Sequence, residues 1–180
     1  MLSLGIFSGS GQRLRLPKGT GRAARRAPIE KGAIHAPAVL NEAYAYARPA
    51  SFSRALGVEL GDKTLLLISG TASVGSDGAT QYPGDFRAQL WRTYRNLTAL
   101  LASAGATWHD IVRTSCYLRD IERDYKDFNE IRTAFFGWHG LDPLPASTGI
   151  QARLCREDLL VEIEAMAVYD TARPGRDAVR

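Results

Sequence analysis

The chain contains little cysteine and histidine and no long apolar run. With two cysteines and three scattered histidines in 180 residues, it has no disulfide framework of the kind that small secreted domains use, so we expect a reducing, cytoplasmic environment. Neither CxxC nor HExxH spacing occurs, and we expect no metal and no other cofactor. No stretch of 18 apolar residues is present, so we expect no membrane span and no secretory signal.

Acidic residues are missing from the first 29 positions. Residues 1–31 hold seven of the 23 basic residues and one of the 19 acids, a net charge of +6, and the remainder, with 16 basic and 18 acidic residues, carries −2. The Gly- and Arg-rich composition of this arm is typical of an organelle transit peptide or of an arm that orders on contact. It lacks the GK[ST] ending of a phosphate-binding loop. Because the rest of the chain is slightly acidic, we do not expect a nucleic-acid partner.

The composition, 45% hydrophobic and 23% charged, is that of one soluble domain. We expect a basic arm over residues 1–43, one domain over 44–170 and a short tail over 171–180. Periodicity predicts a hairpin in ASFSRALGVELGDKTLLLISGTAS, helices in FRAQLWRTYRNLTALLASAG and DYKDFNEIRTAFFGWHG, and strands over 112–119 and in ASTGIQARL and LLVEIEAMAVY.

Both predicted helices have a single apolar stripe. Packing the two stripes on one face of a mixed sheet buries them, which predicts a two-layer α+β domain. The opposite face of the sheet then has no helix to cover it. A symmetric copy of the same chain is the expected cover, so we predict a homo-oligomer.

Two carboxylates lie within the last predicted strand. Alternation along LLVEIEAMAVY puts Glu162 and Glu164 on the face that the helices leave uncovered. A carboxylate in a partly buried position must be ion-paired, hydrogen-bonded or protonated. One interpretation is an ion pair with Arg153, Arg156 or an arginine of another subunit. The other is a proton-handling group near neutral pH.

Several segments together resemble the Rid (YjgF-like) superfamily of imine and enamine deaminases. They are FSRAL, LLLISGTAS, AGATWHDIVRTSCYLRD, DFNEIRTAFF and LCREDLLVEIEAMAV, in this order from Phe52 to Val168. The resemblance implies a chorismate-mutase-like homotrimer whose clefts between subunits bind small carboxylate ligands.

The resemblance also implies roles for individual residues. The cleft glutamate of the family corresponds to Glu162, which would position or activate water. The family's Ser-Gly turn corresponds to Ser69 and Gly70, its asparagine before the FF pair to Asn129, and its YSQA aromatic to Phe52, which has lost the hydroxyl.

One position departs from the family pattern. The arginine of the family's PARS motif, which binds the substrate carboxylate, corresponds to Ala146. A methyl group cannot bind a carboxylate, so Arg153, Arg156 or an arginine of the arm would have to replace it. In the same strand we expect ligand contacts from Ser147, Thr148, Gln151 and Arg153, although Ser147 and Thr148 are equally explained as the end of a loop.

A second resemblance is to the Rid-related C-terminal half of chorismatases, which remove pyruvate from chorismate. It depends on FSRAL, SGTAS, YPGDFRAQ and CREDLLVEIEA. It implies that Glu162 protonates the enol-ether methylene and that Cys155, seven residues earlier, takes part in the chemistry. Cysteine is also a common apolar filler, so Cys155 has a structural interpretation as well.

We therefore expect a metal-free hydrolase, in first place an imine or enamine deaminase acting on a small conjugated acid. Enol-ether cleavage of the chorismatase kind and a non-catalytic, ligand-binding or regulatory trimer are the alternatives. Ribonuclease activity is disfavoured, because no cluster of His and Lys for acid-base cleavage of RNA is evident.

Overall fold

The fold has two layers, a six-stranded sheet and two helices packed on one of its faces. A computed structural model describes residues 29–47 and 49–171, so most of the predicted basic arm and the predicted tail lie outside the described residues. The predicted α+β class is confirmed. In chain order the elements are β1 (Lys31–Ile34), β2 (Ala55–Leu60), β3 (Lys63–Ala72), α1 (Phe86–Ser103), β4 (Ile111–Leu118), α2 (Ile121–Trp138), β5 (Ala146–Gln151) and β6 (Val161–Asp170).

The strands are arranged in the order β1-β2-β3-β6-β4-β5. All neighbours are antiparallel except β4 and β5, which are parallel and are joined through α2. A parallel pair requires such a crossover connection, and here the helix provides it. The last strand of the chain, β6, thereby lies between β3 and β4. Its side chains are placed in the middle of the sheet.

Strand β1 was not predicted from the sequence. Residues 31–34 fall within the predicted basic arm, but they pair with Ala55–Val58 of β2 and form one edge of the sheet. Four residues, KGAI, are too short to show a reliable two-residue alternation, and their burial is slight except at Ile34. Strand β1 is therefore recognisable from its hydrogen bonds to β2 and not from a pattern of buried residues.

The predicted hairpin is confirmed. Leu60 of β2 pairs with Lys63 of β3, which leaves Gly61 and Asp62 as a two-residue turn. Gly61 has φ of 70°, a left-handed conformation that glycine adopts without steric cost.

Both predicted helices begin at an aspartate. The side chain of Asp85 accepts a hydrogen bond from the backbone N–H of Ala88 at 2.9 Å, and Asp120 accepts one from Arg123 at 3.0 Å. These caps satisfy N–H groups that have no partner inside the helix. Because Asp120 is the cap, α2 begins three residues earlier than DYKDFNEIRTAFF suggested.

The core lies between the helices and the sheet. The predicted stripe of α1 is buried at every position, and in α2 it is buried except at Tyr125, which is 46% exposed at the margin. Cys116 is buried there as well, and burial raises the pKa of its thiol. The stripe residues that contact the core are Leu90, Tyr94, Leu97 and Leu101 of α1 and Phe128, Ile131 and Phe135 of α2.

The opposite face of the sheet is open in the part of the chain that the structure describes, because both helices pack on the other face. In β6 the odd-numbered residues from Val161 to Tyr169 are buried under the helices, and the even-numbered ones point to the open face, as the alternation predicted. Met166 and Val168 on that face are 41% and 40% exposed. Within residues 29–47 and 49–171, none of the helices has the length and apolarity that crossing a bilayer requires.

Candidate active site

A cavity of about 860 Å³ opens where the sheet meets three irregular segments. Its floor is formed by β3 and β6, and its walls come from the segment before β2, the loop after β3 and the loop before β6. Aromatic, basic, acidic and thiol side chains all reach it. The lining residues that the following paragraphs use are Tyr46, Phe52, Arg54, Ser69, Gly70, Asp77, Gly78, Cys155, Arg156 and Glu162.

Glu162 is the central carboxylate of the cavity. It is the second residue of β6, between Ala72 of β3 and Tyr117 of β4, and its side chain is half-buried. Burial raises the pKa of Glu162 and the nearby charge of Glu164 raises it further, while the positive charge of Arg54 lowers it. No ion pair joins Glu162 to a basic side chain among the described residues. The carboxyl group is therefore suited to exchanging a proton with a ligand.

Gly70 leaves the space that the Glu162 side chain occupies. A Cβ atom at position 70 would lie 1.9 Å from the Oε1 atom of Glu162 and 2.9 Å from its Cδ. Gly70 lies in a β-bulge, because the pairing of β3 with β6 shifts between Ile68 and Thr71. Bulges redirect side chains next to functional sites. Here the absence of a side chain at position 70 lets the carboxylate of Glu162 approach the backbone of β3 closely.

Ser69 attaches this bulge to the segment before β2. Its backbone N–H donates to the carbonyl of Arg54 at 3.0 Å, and its Oγ donates to the carbonyl of Ser53 at 2.8 Å. The Ser-Gly turn thus connects the strand carrying Gly70 to the segment that carries Phe52 and Arg54. Ser69 therefore has a structural role in this chain, which is to hold β3 and the segment before β2 together.

Arg54 is a cavity residue that the sequence reasoning missed. It is 6% exposed, its Nε donates to the carbonyl of Asn41 at 3.1 Å, and its guanidinium lies over the rings of Tyr46 and Phe52. The FSRAL segment indicates the family, but the resemblance assigns a site role only to its aromatic residue, Phe52. The sequence did contain a signal for this residue. Arg54 follows Phe52 by two positions and immediately precedes the apolar start of β2, a place where a charged side chain is unexpected.

Cys155 and Arg156 lie on the loop between β5 and β6. Cys155 is exposed and forms no disulfide. Arg156 donates from its guanidinium to the carbonyl of Gly78, and its own carbonyl accepts a hydrogen bond from Arg119. The loop is therefore connected to Gly78, on the loop after β3, and to Arg119, which follows β4. Cys155 and Glu162 both line the cavity.

The remaining predicted site residues lie outside this cavity. Asn129 and Ser147 both contact the guanidinium of Arg132, and the hydroxyl of Thr148 accepts a hydrogen bond from Arg113 at 3.2 Å. These residues form a polar group at the β5 edge of the sheet.

The last two predicted ligand contacts are at the end of the same strand. Gln151 accepts a hydrogen bond from the first N–H of α2, at Ile121, which is a structural role. Arg153 is exposed and does not line the cavity. As ligand contacts, the residues outside the cavity stay predictions.

Comparison with known proteins identifies the family. The model of the family described as endoribonuclease L-PSP matches residues 44–169. The chain belongs to the L-PSP family. This confirms the resemblance to the Rid superfamily, because proteins of the YjgF and RutC type are among the relatives of the chain.

Relatives of this L-PSP protein include a 2-iminobutanoate/2-iminopropanoate deaminase from Escherichia coli, 31% identical over 112 residues, which are 62% of this chain and 84% of that protein. The structure of the protein YjgH is 27% identical to this chain, with a TM-score of 0.64, and the match covers 79% of this chain and 98% of that one. The YjgF gene product of Escherichia coli is 28% identical, with a TM-score of 0.59, and covers 76% of this chain and 98% of its own.

Proposed function

We propose that this L-PSP protein is a deaminase that hydrolyses imines or enamines of small carboxylic acids, with Glu162 as the proton-handling group. The observation that carries the proposal is the position of Glu162, half-buried and without an ion-pair partner among the described residues, in a cavity of about 860 Å³. The similarity to a 2-iminobutanoate/2-iminopropanoate deaminase supports the reaction class.

The chemistry requires one group that both gives and accepts a proton. Water attacks the carbon of the C=N bond, the nitrogen gains a proton, and the resulting carbinolamine expels ammonia to leave a 2-oxo acid. An enamine first takes a proton on carbon to become the imine. Burial raises the pKa of Glu162, so a larger fraction of its carboxyl groups is protonated near neutral pH than in an exposed glutamate. Both the acid and the base needed for the reaction are thereby more evenly populated.

The cavity of one chain contains only some of the predicted ligand contacts. Phe52, Ser69 and Gly70 are in it, whereas Asn129 and the hydroxyl residues of β5 are at another edge of the sheet. We propose that in a homotrimer the β5 edge of one subunit completes the cavity of its neighbour. The exposed apolar residues of the open sheet face support such an assembly.

The direct test is hydrolysis of imines made in solution by an amino-acid oxidase from alanine or 2-aminobutanoate. In the presence of semicarbazide, which traps the imine, the active protein should lower the yield of trapped product. Glu162→Gln should abolish this effect, and Glu164→Gln, on the same strand and face, should retain it. An effect that survives Glu162→Gln would contradict the role of this residue.

Enol-ether cleavage of chorismate or a related acid is the second candidate. A cavity of about 860 Å³ is larger than a three- or four-carbon acid needs, and Cys155 and Arg156 lie in it together with Glu162. Release of pyruvate from chorismate, lost in Glu162→Gln, would support this reaction over deamination. Stabilisation of the protein by acids without turnover in either assay would indicate a ligand-binding or regulatory protein.

A further inference from the structure

Arg54 is buried to a degree that is unusual for a cation. Among the described residues it is the one lysine or arginine in the buried core, with 6% of its surface exposed. Burying a guanidinium removes it from water, and this is costly unless an anion or several hydrogen bonds compensate. The contacts that Arg54 makes within the chain compensate only part of this cost.

The guanidinium is held in a fixed orientation. Its carbon lies 5.2 Å from the centre of the Tyr46 ring and 5.3 Å from that of Phe52, and its Nε donates to the carbonyl of Asn41 at 3.1 Å. Cation-π contacts of this kind favour a positive charge and restrict the side chain. The Arg54 side chain is therefore preorganised for binding a ligand.

The two terminal nitrogens have no acceptor among the described residues. The hydrogen bond of the side chain uses Nε alone, and none of the ion pairs in this part of the chain includes Arg54. Glu162 is near enough for the two charges to interact, yet no hydrogen bond joins them. The outer edge of the guanidinium thus remains available in the cavity that both residues line.

We propose that Arg54 binds the carboxylate of the ligand through its two terminal nitrogens and so directs the reacting carbon of a small 2-oxo or 2-imino acid towards Glu162. This inference rests on the proposed function, and it assigns the carboxylate to a residue on the segment before β2. A planar guanidinium matches a carboxylate in a bidentate fork, which a lysine ammonium cannot reproduce.

The experiment compares an acid with its uncharged amide. Binding of 2-oxobutanoate and of 2-oxobutanamide is measured by calorimetry on the full-length chain and on Arg54→Lys, Arg54→Met and Arg95→Met. Arg95 is an exposed arginine of α1 outside the cavity and serves as the matched control. We expect Kd for the acid to rise about tenfold in Arg54→Lys and more in Arg54→Met, with Kd for the amide nearly unchanged.

Because Arg54 also contacts the cavity wall, its replacement can loosen the site without any loss of a carboxylate contact. In that case the acid and the amide lose affinity together, and the inference is overturned. It is also overturned if the acid binds the Arg54 variants as tightly as it binds the unaltered chain, or if the unaltered chain prefers the amide or binds neither compound.

The inference and the proposed function can fail separately. If the acid depends on Arg54 but the protein does not accelerate imine hydrolysis, the binding role stands and the deaminase assignment falls. If the protein hydrolyses imines and Arg54→Lys leaves KM for the anionic substrate unchanged, the deaminase assignment stands and the role of Arg54 falls.

Discussion

At the scale of single residues, Glu162 and Gly70 form a pair in which one residue leaves room for the other. Replacing Gly70 by alanine would put a methyl carbon 1.9 Å from Oε1 of Glu162, so the carboxylate must move. The obstacle is the end of a flexible side chain, and the fold should tolerate it. We therefore expect Gly70→Ala to lower kcat/KM roughly 100-fold, because displacing a catalytic group by about 1 Å costs on this order.

The measurement combines kinetics with thermal unfolding. Gly137→Ala is the control, since Gly137 lies in α2 with nothing within 4 Å of the added carbon. That variant should retain activity and gain some stability, because alanine favours a helix over glycine. An active Gly70→Ala enzyme would mean that the position of Glu162 seen here is not the one that catalysis uses.

Stability as a function of pH gives a second residue-scale prediction. Because burial raises the pKa of Glu162 above its ordinary value of 4.5, the folded state holds this proton more tightly than the unfolded state does. Its contribution to the free energy of unfolding therefore falls as pH rises above 4.5. Glu162→Gln should have a higher Tm than the unaltered chain at pH 7 to 8, and the difference should vanish towards pH 4.

Thermal unfolding from pH 4 to pH 8 tests this, with Glu164→Gln as the comparison for the loss of one charge from the same strand. A Glu162→Gln protein that is less stable at pH 7 to 8 would show that the carboxylate stabilises the fold, as an ion pair would.

The residues of the site were predictable from sequence to different extents. Glu162 was found because a carboxylate interrupts an apolar strand, and Gly70 because of a family motif. Arg54 was missed because sequence spacing does not show that the segment before β2 lines the same cavity as Glu162 of β6. Asn129 was assigned through a resemblance, and one chain alone cannot bring it to the cavity.

At the scale of elements, helix α1 holds the loop that carries Cys155 and Arg156. The buried Gln89 donates to the carbonyls of Tyr82 and Asp158, and its Oε1 accepts from the N–H of Leu160. Gln89→Ala removes three hydrogen bonds and leaves buried backbone groups without partners. We expect it to lower the free energy of unfolding by about 3 kcal/mol.

Denaturant unfolding checks this prediction. Asp85→Ala, at the residue that caps the start of α1, removes one hydrogen bond and should cost about 1 kcal/mol. Equal losses in the two variants would show that Gln89 does not anchor the loop.

Helices and strands were predictable from the sequence where their apolar pattern extends over many residues. The two 18-residue helices and the hairpin have enough turns or residues for the apolar period to emerge. Strand β1 has four residues and little burial, so its existence depends on hydrogen bonds to β2 that no local pattern reveals.

At the scale of the whole molecule, the open sheet face is the surface through which we propose that copies of the chain associate. Met166 is 41% exposed in the middle of that face. If the face is covered by other copies, Met166→Lys buries a charge and should convert a trimer, three times the protomer mass of 19.7 kDa, into protomers.

Light scattering after size-exclusion chromatography measures the mass directly. Trp138→Lys, at the end of α2 on the helical side of the sheet and 80% exposed, should leave the assembly intact. A Met166→Lys protein that keeps the mass of the unaltered chain would rule out this face as the contact.

The cavity is built from two kinds of backbone. Glu162 and Gly70 lie on paired strands in the centre of the sheet, whereas Tyr46, Gly78 and Cys155 lie on irregular segments around it. Loops tolerate replacement better than paired strands do. A combinatorial library restricted to residues 43–50 and 74–79 should therefore yield variants with altered ligand preference that still fold, which makes this scaffold suitable for directed evolution.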